Sequence, residues 1–168
     1  MKLLRNAMLV CAVAAVAACS NGKNAGMYGD GTGSYGSSAA GLPSDPTSPA
    51  YFQQAIGDRV LFEVDQSTLN DGARAVLTAQ ADWLVNNTDY TAVIEGHADE
   101  QGTREYNLAL GARRANAVRE FLISRGVAGN RLRTVSYGKE RPLEICSAES
   151  CYAKNRRAVT VLAGGMTS

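Results

Sequence analysis

The stretch "GHADEQGTREYNLALGARRANAV", residues 96–118, decides how this chain folds. It begins at the end of an apolar segment, continues as a charged loop, and then takes the hydrophobic spacing of an α-helix. At about 100° per residue, one arc of this helix carries the apolar side chains of Leu108, Leu110, Ala115, Val118, Phe121 and Leu122. Arg114 lies inside the same arc. The stretch therefore predicts a strand, a polar loop and a helix that buries an arginine.

The buried arginine belongs to a stripe of polar and small residues, Asn107, Gly111 and Arg114, at positions i, i+4 and i+7. A guanidinium keeps its proton, so a buried one needs anionic or carbonyl partners. One interpretation is an internal ion pair, or an arginine that extends to the edge of the helix. The internal candidates for the counter-charge are Asp99, Glu95 and Glu63. The other interpretation is that Arg114 is kept for a ligand.

The loop that precedes the helix favours the ligand interpretation. It leaves the second predicted strand at its carboxyl end, and in open α/β folds ligands tend to bind in that crevice, near free N–H groups of a helix N-terminus. Asp99 and Arg114 would place a carboxylate and a guanidinium in one crevice. This pair predicts a ligand that carries both an ammonium and a carboxylate, such as the zwitterionic end of an amino acid.

Around this stretch, the remaining pattern predicts a single domain over residues 51–163. The β-branched and aromatic composition of strands occurs in segments 59–64, 90–96, 131–138 and 156–163. Segments 71–87 and 103–125 have helical periodicity, and Gly126 ends the second helix. The order β-α-β-α-β-β predicts an α/β (α+β) sandwich, in which helices pack on one face of a mixed four-stranded sheet.

The chain begins with a predicted export signal, residues 1–18. Lys2 and Arg5 precede an apolar run that is too short to span a bilayer as a helix. The run ends in "VAAC", which is similar to the lipobox of bacterial lipoproteins, so Cys19 is predicted to be acylated. A plain signal peptide cleaved at an Ala-x-Ala site is the alternative. Residues 19–50 are rich in Gly, Ser and Pro and predict a flexible tether, and residues 164–168 a short tail.

The charge balance and the histidine count disfavour several classes of function. Removal of Lys2 and Arg5 with the signal leaves 15 of the 17 basic side chains against 16 acidic ones, so there is no electrostatic case for nucleic acid. His97 is the only histidine, and with the neighbouring Asp99 and Glu100 it would give a poor set of metal ligands. We therefore predict no metal site and no cofactor. A nucleophile elbow is also absent from the sequence, which disfavours an enzyme.

Cys146 and Cys151 are candidates for a disulfide, because an exported chain resides where such bonds persist. The ring that they would close is small. We therefore expect the bond to stiffen the loop before the last strand more than it stabilises the fold. Two separate thiols are the alternative.

Three segments of the chain together resemble the OmpA-like peptidoglycan-binding domain family. They are "GHADEQGTREYNLALGARRANAVREFLISRGV", "RLRTVSYGKERP" and "AKNRRAV". A Gly-His-x-Asp loop, an asparagine, an Arg-Ala pair and an Asn-Arg-Arg recur in the family's order and at its separations. The resemblance covers about residues 60–161 and implies that the chain is a non-catalytic wall tether; a wall-modifying hydrolase is the alternative.

The resemblance also implies a ligand, a set of binding residues and partners. The ligand is the diaminopimelate residue of the peptidoglycan stem peptide, and its binding residues match Asp99, Arg114, Asn107, Asp65 and Arg157 here. With the lipobox, the family implies a lipid anchor in the outer membrane, facing the periplasm. The implied partners are peptidoglycan and the Tol proteins, chiefly TolB, in a system that serves envelope integrity and cell division.

Overall fold

The computed structural model describes residues 43–164. Outside the described residues lie the predicted signal segment, the predicted acylation site Cys19, the tether up to residue 42 and residues 165–168 of the tail. The helices are α1 (Pro49–Tyr51, continued by a π-helical segment Phe52–Gly57), α2 (Asp71–Asn86), α3 (Arg104–Ser124) and α4 (Glu149–Asn155). The strands are β1 (Arg59–Leu61), β2 (Tyr90–His97), β3 (Leu132–Gly138) and β4 (Arg157–Gly164). Between residues 43 and 164, no helix is long and apolar enough to cross a membrane.

The four strands form one mixed sheet in the order β1-β4-β2-β3. Strand β2 pairs with β3 in parallel, and β4 pairs antiparallel with both β1 and β2. The core lies between the sheet and the helices, where Ile94 of β2 and Leu132 of β3 pack with Val118 and Leu122 of α3. The predicted fold class is confirmed.

Helix α3 places the predicted stripe against the sheet. It begins after Thr103, whose hydroxyl accepts the N–H of Tyr106, and it is followed by Gly126 at φ +100°. Asn107, Gly111 and Arg114 are all buried. The prediction was wrong for Leu108, which is 49% exposed. Leu108 lies at the edge of the apolar arc, where β3 contacts the helix backbone rather than this side chain.

Strand β2 and helix α3 touch through two glycines. A Cβ built on Gly96 would lie 1.8 Å from the carbonyl oxygen of Gly111, so no side chain fits between the two backbones. This contact brings the N-terminal half of α3 close to the loop that follows β2. It explains why the inward stripe of α3 contains a glycine, and it determines how near Asp99 and Arg114 can come.

The packed part of the chain begins before residue 51, where we had expected the tether to end. Trp83 donates its indole N–H to the Pro46 carbonyl at 2.6 Å, and the Tyr90 hydroxyl donates to the Thr47 carbonyl at 3.2 Å. Phe52, fully buried, stacks against Trp83 with ring centroids 5.0 Å apart. The boundary was placed too late because these contacts use main-chain carbonyls, which a polar, proline-rich composition does not reveal.

The chain between β3 and β4 contains a helix that the sequence pattern did not predict. Helix α4 spans seven residues and has no side-chain hydrogen bond at its N-cap. The structure joins Cys146 to Cys151, with Cα atoms 6.0 Å apart, so that the disulfide encloses the start of α4. At the other end of the helix, Asn155 accepts the backbone N–H groups of Leu143 and Glu144. The loop is therefore held at both ends.

Candidate functional site

A cavity of about 240 Å³ opens at the carboxyl end of β2. Its lining residues are Val64, Asp65, Asp99, Gln101, Tyr106, Asn107, Leu110 and Arg114. Four of the five predicted binding residues, all except Arg157, line this one cavity. The structure therefore brings together a carboxylate and a guanidinium that are 15 positions apart in the chain.

Arg114 is fully buried, and its guanidinium is held by backbone carbonyls. Nε donates to the Gln66 carbonyl at 2.8 Å, one terminal nitrogen to the His97 carbonyl at 2.8 Å, and the other to the Glu63 carbonyl at 3.1 Å. The guanidinium also lies over the Phe62 ring, 5.2 Å from its centroid. The partners of Arg114 are thus carbonyls of the protein, and among residues 43–164 no carboxylate accepts a hydrogen bond from it.

The cavity side of Arg114 is still electropositive. A guanidinium has five N–H groups, and three donate to the carbonyls, so each terminal nitrogen keeps a second N–H. Burial lowers the pKa of Arg114 to about 10, and the charge of Asp99 acts in the opposite direction. Arg114 therefore stays charged at neutral pH.

Asp99 is the carboxylate on the other side of the cavity, and it is 8% exposed. One of its oxygens accepts the backbone N–H of Gln101 at 3.2 Å. The other accepts a hydrogen bond from the Arg156 guanidinium at 3.2 Å. Asn107, which is 1% exposed, donates its side-chain amide to the Gln101 carbonyl at 2.8 Å and so fixes the loop beside Asp99. The cavity wall around Asp99 is thus formed before any ligand binds.

Asp65 and Tyr106 form the rim of the cavity. Asp65 has φ +56°, in the left-handed region, which Asp adopts more readily than most residues. Its carboxylate accepts a hydrogen bond from the Tyr106 hydroxyl, and this bond raises the pKa of Tyr106. The two side chains are exposed and join the loop after β1 to the first turn of α3.

Arg157 does not line the cavity, and its neighbour Arg156 meets the cavity only through Asp99, which accepts a hydrogen bond from the Arg156 guanidinium. Ala158 is in the core on the helix side of β4, so by the alternation of a strand Arg157 points to the other face of the sheet. There Arg157 donates to the carbonyl of Arg141. The Asn-Arg-Arg motif does not indicate which of its two arginines lies on the helix side of the sheet, because adjacent side chains at a strand end point in opposite directions. Arg156 was missed for the same reason.

The imidazole of His97 lies away from the cavity and is 2% exposed. Burial, followed by the charges of Arg157 and Arg141, lowers the pKa of His97 to about 4. Its ring lies 5.6 Å from the ring of Tyr137. Only the backbone of His97 serves the site, through its carbonyl bond to Arg114.

The rest of the described chain offers no comparable site. Among residues 43–164, no cluster of three or more His, Cys, Asp or Glu side chains could hold a metal ion. A larger cavity of about 480 Å³ lies beside α2, between Trp83 and Pro46. Asp82 is the only charged residue that lines it, so it lacks the paired charges of the cavity at Asp99.

The chain is similar to known proteins over nearly its whole length. The model of the OmpA family matches residues 61–156. A protein of Mesorhizobium japonicum named peptidoglycan-associated lipoprotein is 49% identical over 164 residues, which cover 96% of this chain and 95% of that protein. A protein of the same name from Haemophilus influenzae is 37% identical over 161 residues, with 94% and 97% covered.

Solved structures show the same fold. The crystal structure of the peptidoglycan-associated lipoprotein from Burkholderia pseudomallei is 38% identical, with a TM-score of 0.64 over 72% of this chain and 98% of that one. The C-terminal domain of Helicobacter pylori MotB has a TM-score of 0.59 at 23% identity, over 63% of this chain and 84% of that one. At that identity the second likeness concerns the fold alone.

Proposed function

This chain belongs to the OmpA family, and on that premise we propose that it is a lipid-anchored outer-membrane protein that binds peptidoglycan without covalent attachment. The ligand in the cavity is the diaminopimelate residue of the stem peptide. The observation that carries the proposal is the pairing of a buried guanidinium, Arg114, with the Asp99 carboxylate across one cavity. Relatives that span nearly the whole chain are named for an association with peptidoglycan.

The chemistry of the two groups fits the free end of diaminopimelate. That end carries one ammonium and one carboxylate. The second N–H groups of Arg114 would donate to the carboxylate, and Asp99 would accept from the ammonium. Because both side chains are already held by the protein, little conformational entropy is lost when the ligand binds.

The anchor and the partners are part of the same proposal. Acylated Cys19 would hold the chain on the outer membrane, and residues 20–42 would let the domain reach the wall. The Tol proteins, chiefly TolB, are the proposed protein partners. Mass spectrometry of the native chain should find lipid on residue 19; an unlipidated N-terminus farther along the chain would contradict the anchor.

Sedimentation with purified sacculi tests the wall binding. We expect the full chain to sediment with diaminopimelate-type sacculi without releasing fragments, whereas released fragments would favour the hydrolase. Asp99→Asn should weaken binding at least about tenfold, because the ligand ammonium loses its counter-charge. Asp82→Asn, which neutralises an exposed carboxylate outside the cavity, is the matched control.

Thermal denaturation of each variant accompanies the sedimentation. Lysine-type sacculi, which lack the distal carboxylate, should bind poorly to the unmodified chain. A folded Asp99→Asn variant that binds diaminopimelate-type sacculi as well as the control would contradict the proposed site.

A further inference from the structure

The Cys146–Cys151 disulfide closes a ring in which Glu149 is the only acidic residue. Glu149 contacts Arg156, the same arginine that donates a hydrogen bond to Asp99. We propose that Glu149 is a positioning residue for ligand binding: held by the Cys146–Cys151 ring, it balances the charge of Arg156 and leaves that of Asp99 available to a ligand ammonium. This inference rests on the proposed function, because it requires that Asp99 binds an ammonium.

The contacts form one continuous line from the loop to the cavity. Arg156 is 4% exposed, and its Nε donates to the Phe62 carbonyl at 3.2 Å, which fixes the plane of the guanidinium. One terminal nitrogen donates to Asp99 and the other to Glu149. Arg156 therefore has a carboxylate on each side, one facing the cavity and one outside it.

Two carboxylates around one guanidinium change what Asp99 can offer. If Arg156 paired with Asp99 alone, the pair would be close to neutral, and Asp99 would attract a ligand ammonium weakly. With Glu149 present, the three groups carry one net negative charge, and Asp99 is the member that lines the cavity. Arg156 and Asp99 are both buried, so solvent screens the interaction between them little, whereas the exposed Glu149 carboxylate acts through its direct bond to Arg156. Burial opposes the charge of Arg156, but its bonds to Glu149 and Asp99 raise its pKa overall.

The disulfide ring holds the Glu149 side chain in position, which the other contacts of Glu149 do not. The Glu149 side chain is 67% exposed, so packing does not hold it in place. It is the first residue of α4, whose N-cap makes no side-chain hydrogen bond. Asn155 fixes only the far end of this helix. The disulfide fixes the near end, where Glu149 lies, and so keeps the carboxylate within reach of Arg156.

Calorimetric titration of the full chain in detergent tests the inference with two synthetic probes. One is the tripeptide L-Ala–γ-D-Glu–meso-diaminopimelate, and the other is the same peptide with the distal ammonium replaced by hydrogen. The unmodified chain should prefer the first probe. Glu149→Gln, and Cys146→Ser combined with Cys151→Ser, should each bind the first probe about three- to tenfold more weakly and the second one unchanged.

Glu144→Gln is the matched control, because it neutralises a half-buried carboxylate of the same loop, one that pairs with Lys154 instead of Arg156. Dithiothreitol should weaken binding of the first probe by the unmodified chain, and reoxidation should restore it. Equal losses for both probes would mean that Glu149 and the ring only support the fold, and no loss would mean that they do not act on Asp99; either result overturns the inference. Failure of the unmodified chain to bind the first probe would instead overturn the proposed function.

Discussion

Arg114 holds two segments of the fold together through its carbonyl partners. Its three carbonyl partners lie on two separate segments, the loop after β1 and the end of β2. A carbonyl that loses such a donor in a buried position costs about 1 kcal/mol or more. The same side chain is thus a cross-link between segments and one half of the proposed ligand pair.

Arg114→Ala should therefore lower the free energy of unfolding by about 3 kcal/mol, because three carbonyls lose their donors. Urea denaturation measures the change. Arg113→Ala is the control: Arg113 is exposed and lies over the Tyr106 ring, so its loss should cost less than about 1 kcal/mol. Equal stability of the two variants would show that the carbonyl contacts contribute nothing.

His97 should make stability depend on pH in a defined window. Its pKa is about 4 in the folded chain, against an ordinary value of 6.5, so between these pH values the unfolded chain binds a proton that the folded chain does not. Stability is fully present above pH 6.5 and is lost as the pH falls towards 4. In His97→Phe, which keeps a buried ring, the free energy of unfolding should fall by about 2–3 kcal/mol less over this pH range than in the unmodified chain.

Because the chain has a single histidine, its imidazole resonance can be followed by NMR without assignment by mutagenesis. A midpoint near 6.5 in the folded protein would contradict the buried, neutral state.

Among the contacts between secondary-structure elements, the site depends most on the close packing of β2 against α3 at Gly96 and Gly111. Gly96→Ala would place a methyl group inside the backbone of Gly111, which cannot move without shifting the helix. We expect a loss of about 3 kcal/mol or more, together with loss of sacculus binding, since Arg114 moves with α3. Gly72→Ala is the control.

Gly72 lies in the first turn of α2, where an added Cβ meets nothing closer than 3.5 Å. Its replacement should stabilise the helix slightly, by less than about 1 kcal/mol. A Gly96→Ala variant as stable as this control would mean that the two elements are not as close as described.

Periodicity predicted the two long helices well, and the structure shows that a side-chain cap or a glycine marks their ends. Helix α2 begins after Asn70, whose side chain accepts the N–H of Ala73, and α3 ends before Gly126, close to the predicted positions. Helix α4 has no such cap, and it is too short for its periodicity to be read.

The site was predictable only in part. The helical arc of α3 indicated Asn107 and Arg114, because position within a long helix determines which side is buried. Whether Arg156 or Arg157 lies beside Asp99 depends on where β4 begins, and a difference of one residue reverses the answer. The carbonyl partners of Arg114 come from backbone, which carries no residue-specific signal in a sequence.

At the scale of the whole molecule, the described residues before position 51, residues 43–50, belong to the folded unit through the contacts of Pro46 and Thr47. A chain that begins at residue 51 should be less stable than one that begins at residue 43 by about 1–2 kcal/mol, because the indole of Trp83 loses the Pro46 carbonyl. Trp83 is the only tryptophan, so its emission should shift to longer wavelength as it gains contact with water. If the two chains had the same free energy of unfolding and the same tryptophan emission maximum, the contact between Trp83 and Pro46 would be contradicted.

The carbonyl cage of Arg114 also limits how the cavity can diverge under selection. A competitor that mimics the zwitterionic ligand would select for changes at Arg114. Because replacement of Arg114 damages folding, few substitutions at this position would be viable. We expect escape variants to accumulate at the rim, at Tyr106, where an exposed side chain can change without loss of a buried partner. Deep mutational scanning that scores folding and sacculus binding separately would reveal this as tolerance at the rim and intolerance of both scores at Arg114.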